Sequence, residues 1–291
     1  MSAADVGERA AMVTGAGSGL GRAVAERLLA EGYTVFGSAI HDEEAEELSN
    51  AMRGDFVPVI VDLRDEDSVT SAAEQVTARL DGRPLTALLN IAGVVTNGPL
   101  LDLCAAKFHD VLAVNVVGMH AMTRAFVPLL RQHGHARIIN MSSSSGQRVM
   151  PFTGAYAASQ FAVEALSSAM RMEFAPLGIE VVVIAPGLMH TPMAARIRDG
   201  LALPPSLPVY REPLRRFLAG TEQALANGVP VPRVVEAILA SIEERDPPPR
   251  KAIVQGRRRD ALLIRLRSVR RRESMVRRDL GLDDPPERRA R

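Results

Sequence analysis

Ala10-Ala11-Met12-Val13-Thr14-Gly15-Ala16-Gly17-Ser18-Gly19-Leu20-Gly21 is the stretch that decides the fold. Its first four residues are a short apolar run, the pattern of a buried strand. Gly15, Gly17, Gly19 and Gly21 let the backbone turn tightly and come close to a pyrophosphate. From residue 19 to 31 the spacing predicts a helix with Leu20, Val24, Leu28 and Leu29 on one face, stopped by Gly32. A helix N-terminus opening at Ser18–Leu20 offers free amides and the positive end of a dipole to an anion.

Working outward, the same strand–helix rhythm continues. Strands are predicted at residues 34–36, 56–61, 85–91, 137–141, 179–184 and 252–254. Helices are predicted at 41–53, 65–80, 101–132 (bent at Pro128), 156–177 and 231–244. Alternation of this kind predicts an α/β fold: a single Rossmann-type doubly wound parallel sheet of about seven strands, with helices on both faces. The domain is expected to span 1–256. Residues 188–230 interrupt the rhythm with the apolar, proline-rich segment Leu201–Tyr210, and 257–291 form a basic, partly helical tail.

Composition narrows the class. The 291 residues are 47% hydrophobic, enough for a large core. No apolar run of membrane-spanning length is read, and Met1-Ser2-Ala3-Ala4-Asp5 lacks a basic-then-apolar leader, so a cytoplasmic protein is expected. Cys104 is the only cysteine, which rules out an intrachain disulfide or a cysteine metal cluster; a small buried thiol is expected there. The net charge of +1 conceals an asymmetry, because residues 250–291 hold 15 basic and 6 acidic side chains. A basic amphipathic segment of this kind can lie on an anionic membrane surface, but packing on its own acidic body or on a second subunit is preferred. Nucleic acid is a poor fit: the body is acidic, with three tyrosines and no tryptophan for stacking.

Several positions then fall into a constellation. Asn90-Ile91-Ala92-Gly93 ends the fourth predicted strand, and Asn115 lies in Val114-Asn115-Val116-Val117-Gly118. Ser143 follows the fifth strand, Tyr156 comes thirteen residues later, and Tyr156-Ala157-Ala158-Ser159-Gln160 places Gln160 one helical turn beyond the phenol. Pro186-Gly187 ends the sixth strand and Thr191-Pro192-Met193 follows. Over about residues 8 to 256 the chain resembles the short-chain dehydrogenase/reductase family. Phe161–Leu166, Ile179-Glu180-Val181 and the arginine-rich end resemble its retinol- and hydroxysteroid-dehydrogenase branch.

The resemblance implies an NAD(P)-dependent oxidoreductase that interconverts an alcohol and its ketone or aldehyde, and the apolar segment Leu201–Tyr210 suggests that this small substrate is apolar. It implies Tyr156 as acid/base, Ser143 as the group on the substrate oxygen, and Asn115 as the holder of a water and the mark of a helix break. The family's lysine is replaced here by Gln160, which can keep a ribose hydrogen bond but brings no charge. Carbonyl reduction should suffer less than alcohol oxidation, since only oxidation needs the phenolate. A family member that binds cofactor or ligand with little redox turnover is the alternative. Gly15, Gly17, Ser18, Gly19, Leu20, Gly21, Asn90, Ala92, Gly93, Pro186, Gly187 and Thr191 are implied to line the dinucleotide, with Thr191 on the carboxamide and the 188–230 excursion as a lid. Asp62, followed by Leu63, is open to two readings, an adenine contact or a helix cap. Asn90 is expected to satisfy backbone groups beside the cofactor. Cofactor choice is read after the second strand, where Ala39 and Ile40 supply neither acid nor arginine and His41 follows. The missing acid leans toward NADP over NAD. The family pairs its two long helices across subunits, so a homodimer or homotetramer is expected.

Overall fold

The computed structural model describes residues 9–202, 204–255 and 268–283. Seven strands form one parallel sheet: β1 (Ala10–Val13), β2 (Thr34–Ala39), β3 (Phe56–Ile60), β4 (Ala87–Asn90), β5 (Ala136–Met141), β6 (Ile179–Pro186) and β7 (Arg250–Ile253). Their order is β3-β2-β1-β4-β5-β6-β7. The winding reverses between β1 and β4, so a crevice opens beyond the carboxyl ends of those two strands, where doubly wound sheets bind ligands.

Helices cover both faces because the strands are apolar on both sides. On one face α1 (Gly19–Ala30), α2 (Asp42–Ala51) and α9 (Val231–Glu243) bury Val24, Leu28, Leu48, Val234 and Ile238 against the sheet. On the other, α3 (Glu66–Leu80), α4 (Ala105–Leu112), α5 (Met119–Leu130) and α6 (Gly154–Phe174) contribute Val69, Val76, Val111, Met122, Phe126 and Val163 to the buried interior. Each fully buried side chain of this size adds about 1.5–3 kcal/mol before the entropy of ordering is charged against it.

The predicted helix at 101–132 differs in two ways. Leu100–Asp102 is a separate 3₁₀ turn, and the α-helix begins at Ala105 after an extended Cys104. Cys104 is therefore exposed at a helix start, not buried. Between α4 and α5 the backbone widens into a π turn over Ala113–Gly118. The break falls at Asn115, where it was expected, while Pro128 sits inside α5 without ending it. Read as one helix, Ala105–Leu130 has a mean hydropathy of 1.3 over its best window, long and apolar enough to cross a membrane. This run departs from the expectation that no such segment exists. Its buried residues pack on α3, α6 and the sheet, as those of a core helix do.

The 188–230 excursion is mostly helical, with α7 (Pro192–Ala202) and α8 (Arg211–Ala226). A third small core gathers Phe152, Leu201, Leu214 and Leu280, the last from α10 (Val269–Leu280) in the basic tail. That helix lies on α8 of its own chain, so this part of the tail packs on the body. The apolar run at 261–266 lies outside the described residues.

Candidate active site

The glycine loop is built as its residue types require. Gly15 has φ +73° and Gly19 has φ +55°, left-handed conformations that side chains resist. A β-carbon on Gly15 would stand 3.0 Å from Ala92 Cα, which lets the ends of β1 and β4 approach. Two residues the sequence reading missed pin this arrangement. Thr14 Oγ1 accepts hydrogen bonds from the amides of Ile91 (2.9 Å) and Ala92 (3.0 Å). Ser38, on β2, accepts the Gly15 amide at 2.7 Å. Thr14 is readable from sequence only as the start of a motif; nothing at Ser38 signals its role. Ser18 precedes α1 in extended conformation with no side-chain cap, leaving the first amides of the helix without that partner.

Asn90 has a different task from the expected one. Its Nδ2 donates to Asn140 Oδ1 (2.9 Å) and Thr123 Oγ1 (3.2 Å), beneath the β4–β5 pair, and not to backbone groups beside the crevice. The backbone role there belongs to Thr14. Gly93 lies against Asn115, whose Oδ1 would be 3.2 Å from an added β-carbon.

Asn115 links three elements. Its Oδ1 accepts the Val94 amide (2.8 Å), and its Nδ2 donates to the Val94 carbonyl (2.9 Å) and to Ser159 Oγ (3.0 Å). Ser159 Oγ in turn donates to the Tyr156 carbonyl at 2.8 Å. Both amide hydrogens of Asn115 are thus spent on protein. A water on this residue would have to use the remaining Oδ1 lone pair or the main-chain carbonyl.

Ser143 and Tyr156 meet, as their spacing predicts. Ser143 caps the 3₁₀ turn Ser144–Gly146, accepting the Ser145 amide at 3.1 Å. Burial pushes the Tyr156 phenol above its ordinary value, and a hydrogen bond with Ser143 opposes that shift. No cation adds to the opposition. Gln160, one turn along α6, is 5% exposed, and its Oε1 is buried without a partner. An orphaned acceptor at this depth costs about 1–3 kcal/mol, which a donor entering the cleft would recover. Neighbouring Ser142 is committed elsewhere, to Glu164 at 2.7 Å.

The remaining candidates divide. Thr191 sits on the glycine loop, its Cβ 3.4 Å from where Gly19 would carry a β-carbon. The Gly187 amide donates to the Ile253 carbonyl (2.9 Å), tying the end of β6 to β7 just past Pro186. Asp62 does not cap α3; Asp65 does, through the Asp67 amide at 3.0 Å. Asp62 Oδ1 accepts from the Arg64 amide and from Arg64 Nε, both at 3.0 Å. Burial pushes the Asp62 carboxyl up, but those bonds and the Arg64 charge outweigh it and hold the carboxyl below its ordinary value. Leu63 packs under the π turn, its carbonyl against Gly118. At the end of β2, Ala39 is buried, Ile40 is exposed, and His41 caps α2 by accepting the Glu44 amide at 3.2 Å. Loop, helix terminus and orphaned Gln160 acceptor fit a nicotinamide dinucleotide lying across the β1–β4 crevice.

Comparison with known proteins agrees with this fold. Residues 9–202 match the family described as short chain dehydrogenase. The chain is 33% identical over 196 residues to an NADPH-dependent 3-dehydrocapnine reductase of Ornithobacterium rhinotracheale, covering 66% of this chain and 69% of that one. It is 34% identical over 187 residues to retinol dehydrogenase 16 of Mus musculus, covering 64% and 58%. A crystal structure of a short-chain dehydrogenase from Streptomyces avermitilis superposes with a TM-score of 0.75 at 28% identity, over 95% of this chain and 98% of that one.

Proposed function

Because the chain belongs to the short-chain dehydrogenase/reductase family of NAD(P)-binding oxidoreductases, we propose that it reduces the carbonyl group of a small apolar substrate, with Tyr156 as proton donor. A nicotinamide dinucleotide, when held by the glycine loop and Gln160, would supply the hydride. Ser143 orients the carbonyl oxygen, and Tyr156 delivers a proton to that oxygen as charge develops on it. Asn115, through Ser159, holds the first turn of α6 at a fixed distance from the β4 loop and so positions the phenol.

The direction rests on one observation: Tyr156 is raised by burial, with Ser143 opposing and Gln160 bringing no charge. A phenol at or above a pKa of about 10 is at most about one part in a thousand ionised at pH 7. It is therefore a ready acid and a scarce base. The apolar character of the substrate is supported by exposed Leu100, Leu101 and Val149 near the start of α6, where Leu100 lies against Gly154. Exposed Val117, Phe161 and Met172, on the π turn and α6, support a homo-oligomer.

The test is spectroscopic. NADH and NADPH are titrated into the protein, then apolar ketones and aldehydes are screened for loss of nicotinamide absorbance. Turnover that disappears in Tyr156→Phe while dinucleotide binding persists is expected. Binding without turnover across a broad panel favours the second reading, a cofactor-binding member with little redox activity, which the uncharged Gln160 alone recommends.

A further inference from the structure

The end of β2 lacks the acidic residue that would hold a ribose hydroxyl and the arginine that would hold a 2′-phosphate. A carboxylate nonetheless occupies the place. Glu44, in the first turn of α2, folds back so that Oε2 accepts the Ile40 amide at 2.8 Å. Its other oxygen lies over the glycine loop: a methyl group on Gly17 would overlap Oε1 and stand 3.1 Å from Cδ. One carboxylate thus bridges the first residue after β2 and the middle glycine of the phosphate loop. The intervening His41 is occupied as the cap of α2 and cannot offer Nδ1 to an anion in that state.

The surrounding charge has the same sign. Helix α2 carries Asp42, Glu43, Glu44, Glu46 and Glu47 and no basic residue. Arg22 and Arg64, on the flanking segments, are already paired, with Glu26 at 3.0 Å and with Asp62 at 3.0 Å. A 2′-phosphate here would meet a carboxylate that no cation pairs with among the described residues, which costs free energy through repulsion. A 2′-hydroxyl would find an acceptor.

We propose that Glu44 sets the dinucleotide choice by accepting the ribose hydroxyl and excluding a 2′-phosphate, so that this chain uses NAD(H). On this proposal the lean toward NADP drawn from the missing acid at Ala39 gives way to NAD, because a carboxylate arrives from the helix. The assignment rests on the crevice being a dinucleotide site, as under the proposed function.

Binding, independent of turnover, tests it. Dissociation constants for NADH and NADPH are measured by nicotinamide fluorescence on the full chain, for the wild type, Glu44→Gln and Glu44→Ala. The glutamine keeps the acceptor for the Ile40 amide and removes only the charge, so a purely structural role would leave the preference unmoved. The wild type should bind NADH about tenfold or more tightly than NADPH, with the gap narrowing as salt is raised. Glu44→Gln should close most of the gap, chiefly by tightening NADPH, and Glu44→Ala should also weaken NADH. Tighter NADPH binding by the wild type, or an unchanged ratio in a folded Glu44→Gln, overturns the proposal and leaves the oxidoreductase reading standing. If the wild type binds neither dinucleotide, that reading falls, and the role of Glu44 falls with it.

Discussion

Replacing Gln160 by lysine tests the chemistry at its weakest point. The side chain leaves α6 one turn after Tyr156, about 6 Å along the helix. A positive charge at that range, with an effective dielectric near 20, favours phenolate by about 3 kcal/mol, or about 2 pKa units. The phenolate fraction at pH 7 then rises about a hundredfold. Stability should fall without bound dinucleotide, because the 5% exposed site must then hold an ammonium where an uncharged amide stood. Alcohol oxidation at pH 7 is expected to rise about 30- to 100-fold, and carbonyl reduction much less, since neutral phenol is abundant in both proteins. Initial rates in both directions between pH 6 and 10, using an alcohol–ketone pair the parent accepts, read this out directly. Gln160→Met, similar in size and uncharged, is the control and should gain nothing. A folded, dinucleotide-binding lysine variant with unchanged oxidation refutes the electrostatic argument; an equal gain in the methionine variant refutes it as well.

The parent should show its own pH signature. Because the folded pKa of Tyr156 is raised, oxidation should climb about tenfold per unit from pH 7 to 10 while reduction stays flat. By the same linkage the neutral phenol stabilises the fold below its unfolded value of about 10, and that contribution is lost as pH rises through the higher folded value, so a melting series should begin to fall only in that alkaline range. Ser143→Ala removes the bond that opposes burial; the alkaline limb of oxidation should move to higher pH and kcat should drop about a hundredfold in steady-state assays. Gly15→Ala places a β-carbon 3.0 Å from Ala92 at φ +73°, and should cost about 1–2 kcal/mol in a denaturant titration and weaken dinucleotide binding. Leu280→Ala opens the small core shared with Phe152, Leu201 and Leu214 and should loosen α10 by about 2–3 kcal/mol, seen as faster proteolysis of the tail and a raised KM with kcat kept.

The parts of this molecule that are legible in the sequence are those whose reason is local. The glycine turn, the helix face of Leu20, Val24 and Leu28, and the Ser143–Tyr156 spacing each express a backbone requirement within a few residues, and the parallel sheet follows from the alternation of strands and helices. What escapes depends on register and packing. Asn90 turns toward Asn140 because β4 and β5 align those two residues, an alignment no single segment contains. Ser38 reaches the Gly15 amide only because β2 lies beside β1. Cys104 reads as part of a buried helix because the apolar pattern runs on through the 3₁₀ turn that precedes α4. In the basic tail the apolar run at 261–266 draws the eye, whereas the described contact comes from Leu280 and Val276, one turn apart on α10.

Glu44 escapes motif reading and Gln160 stands out in it, yet the two share a feature. Each fills an expected place with unexpected charge: Gln160 brings none to a position where the family resemblance implies a lysine, and Glu44, on the proposal above, supplies from α2 the anion missing after β2. Both substitutions preserve hydrogen-bonding shape, since a glutamine can still face a ribose and a glutamate can still reach the ribose edge. The fold tolerates them because both side chains leave helices, Glu44 from α2 and Gln160 from α6, and neither belongs to a strand of the sheet. Their effects should therefore be separable. Position 44 governs which dinucleotide binds, position 160 governs which direction of proton transfer is fast, and a double variant carrying Glu44→Gln and Gln160→Lys should combine the two changes additively, within about 0.5 kcal/mol. Strong non-additivity would mean that the two ends of the cleft are coupled through the bound dinucleotide and not set independently.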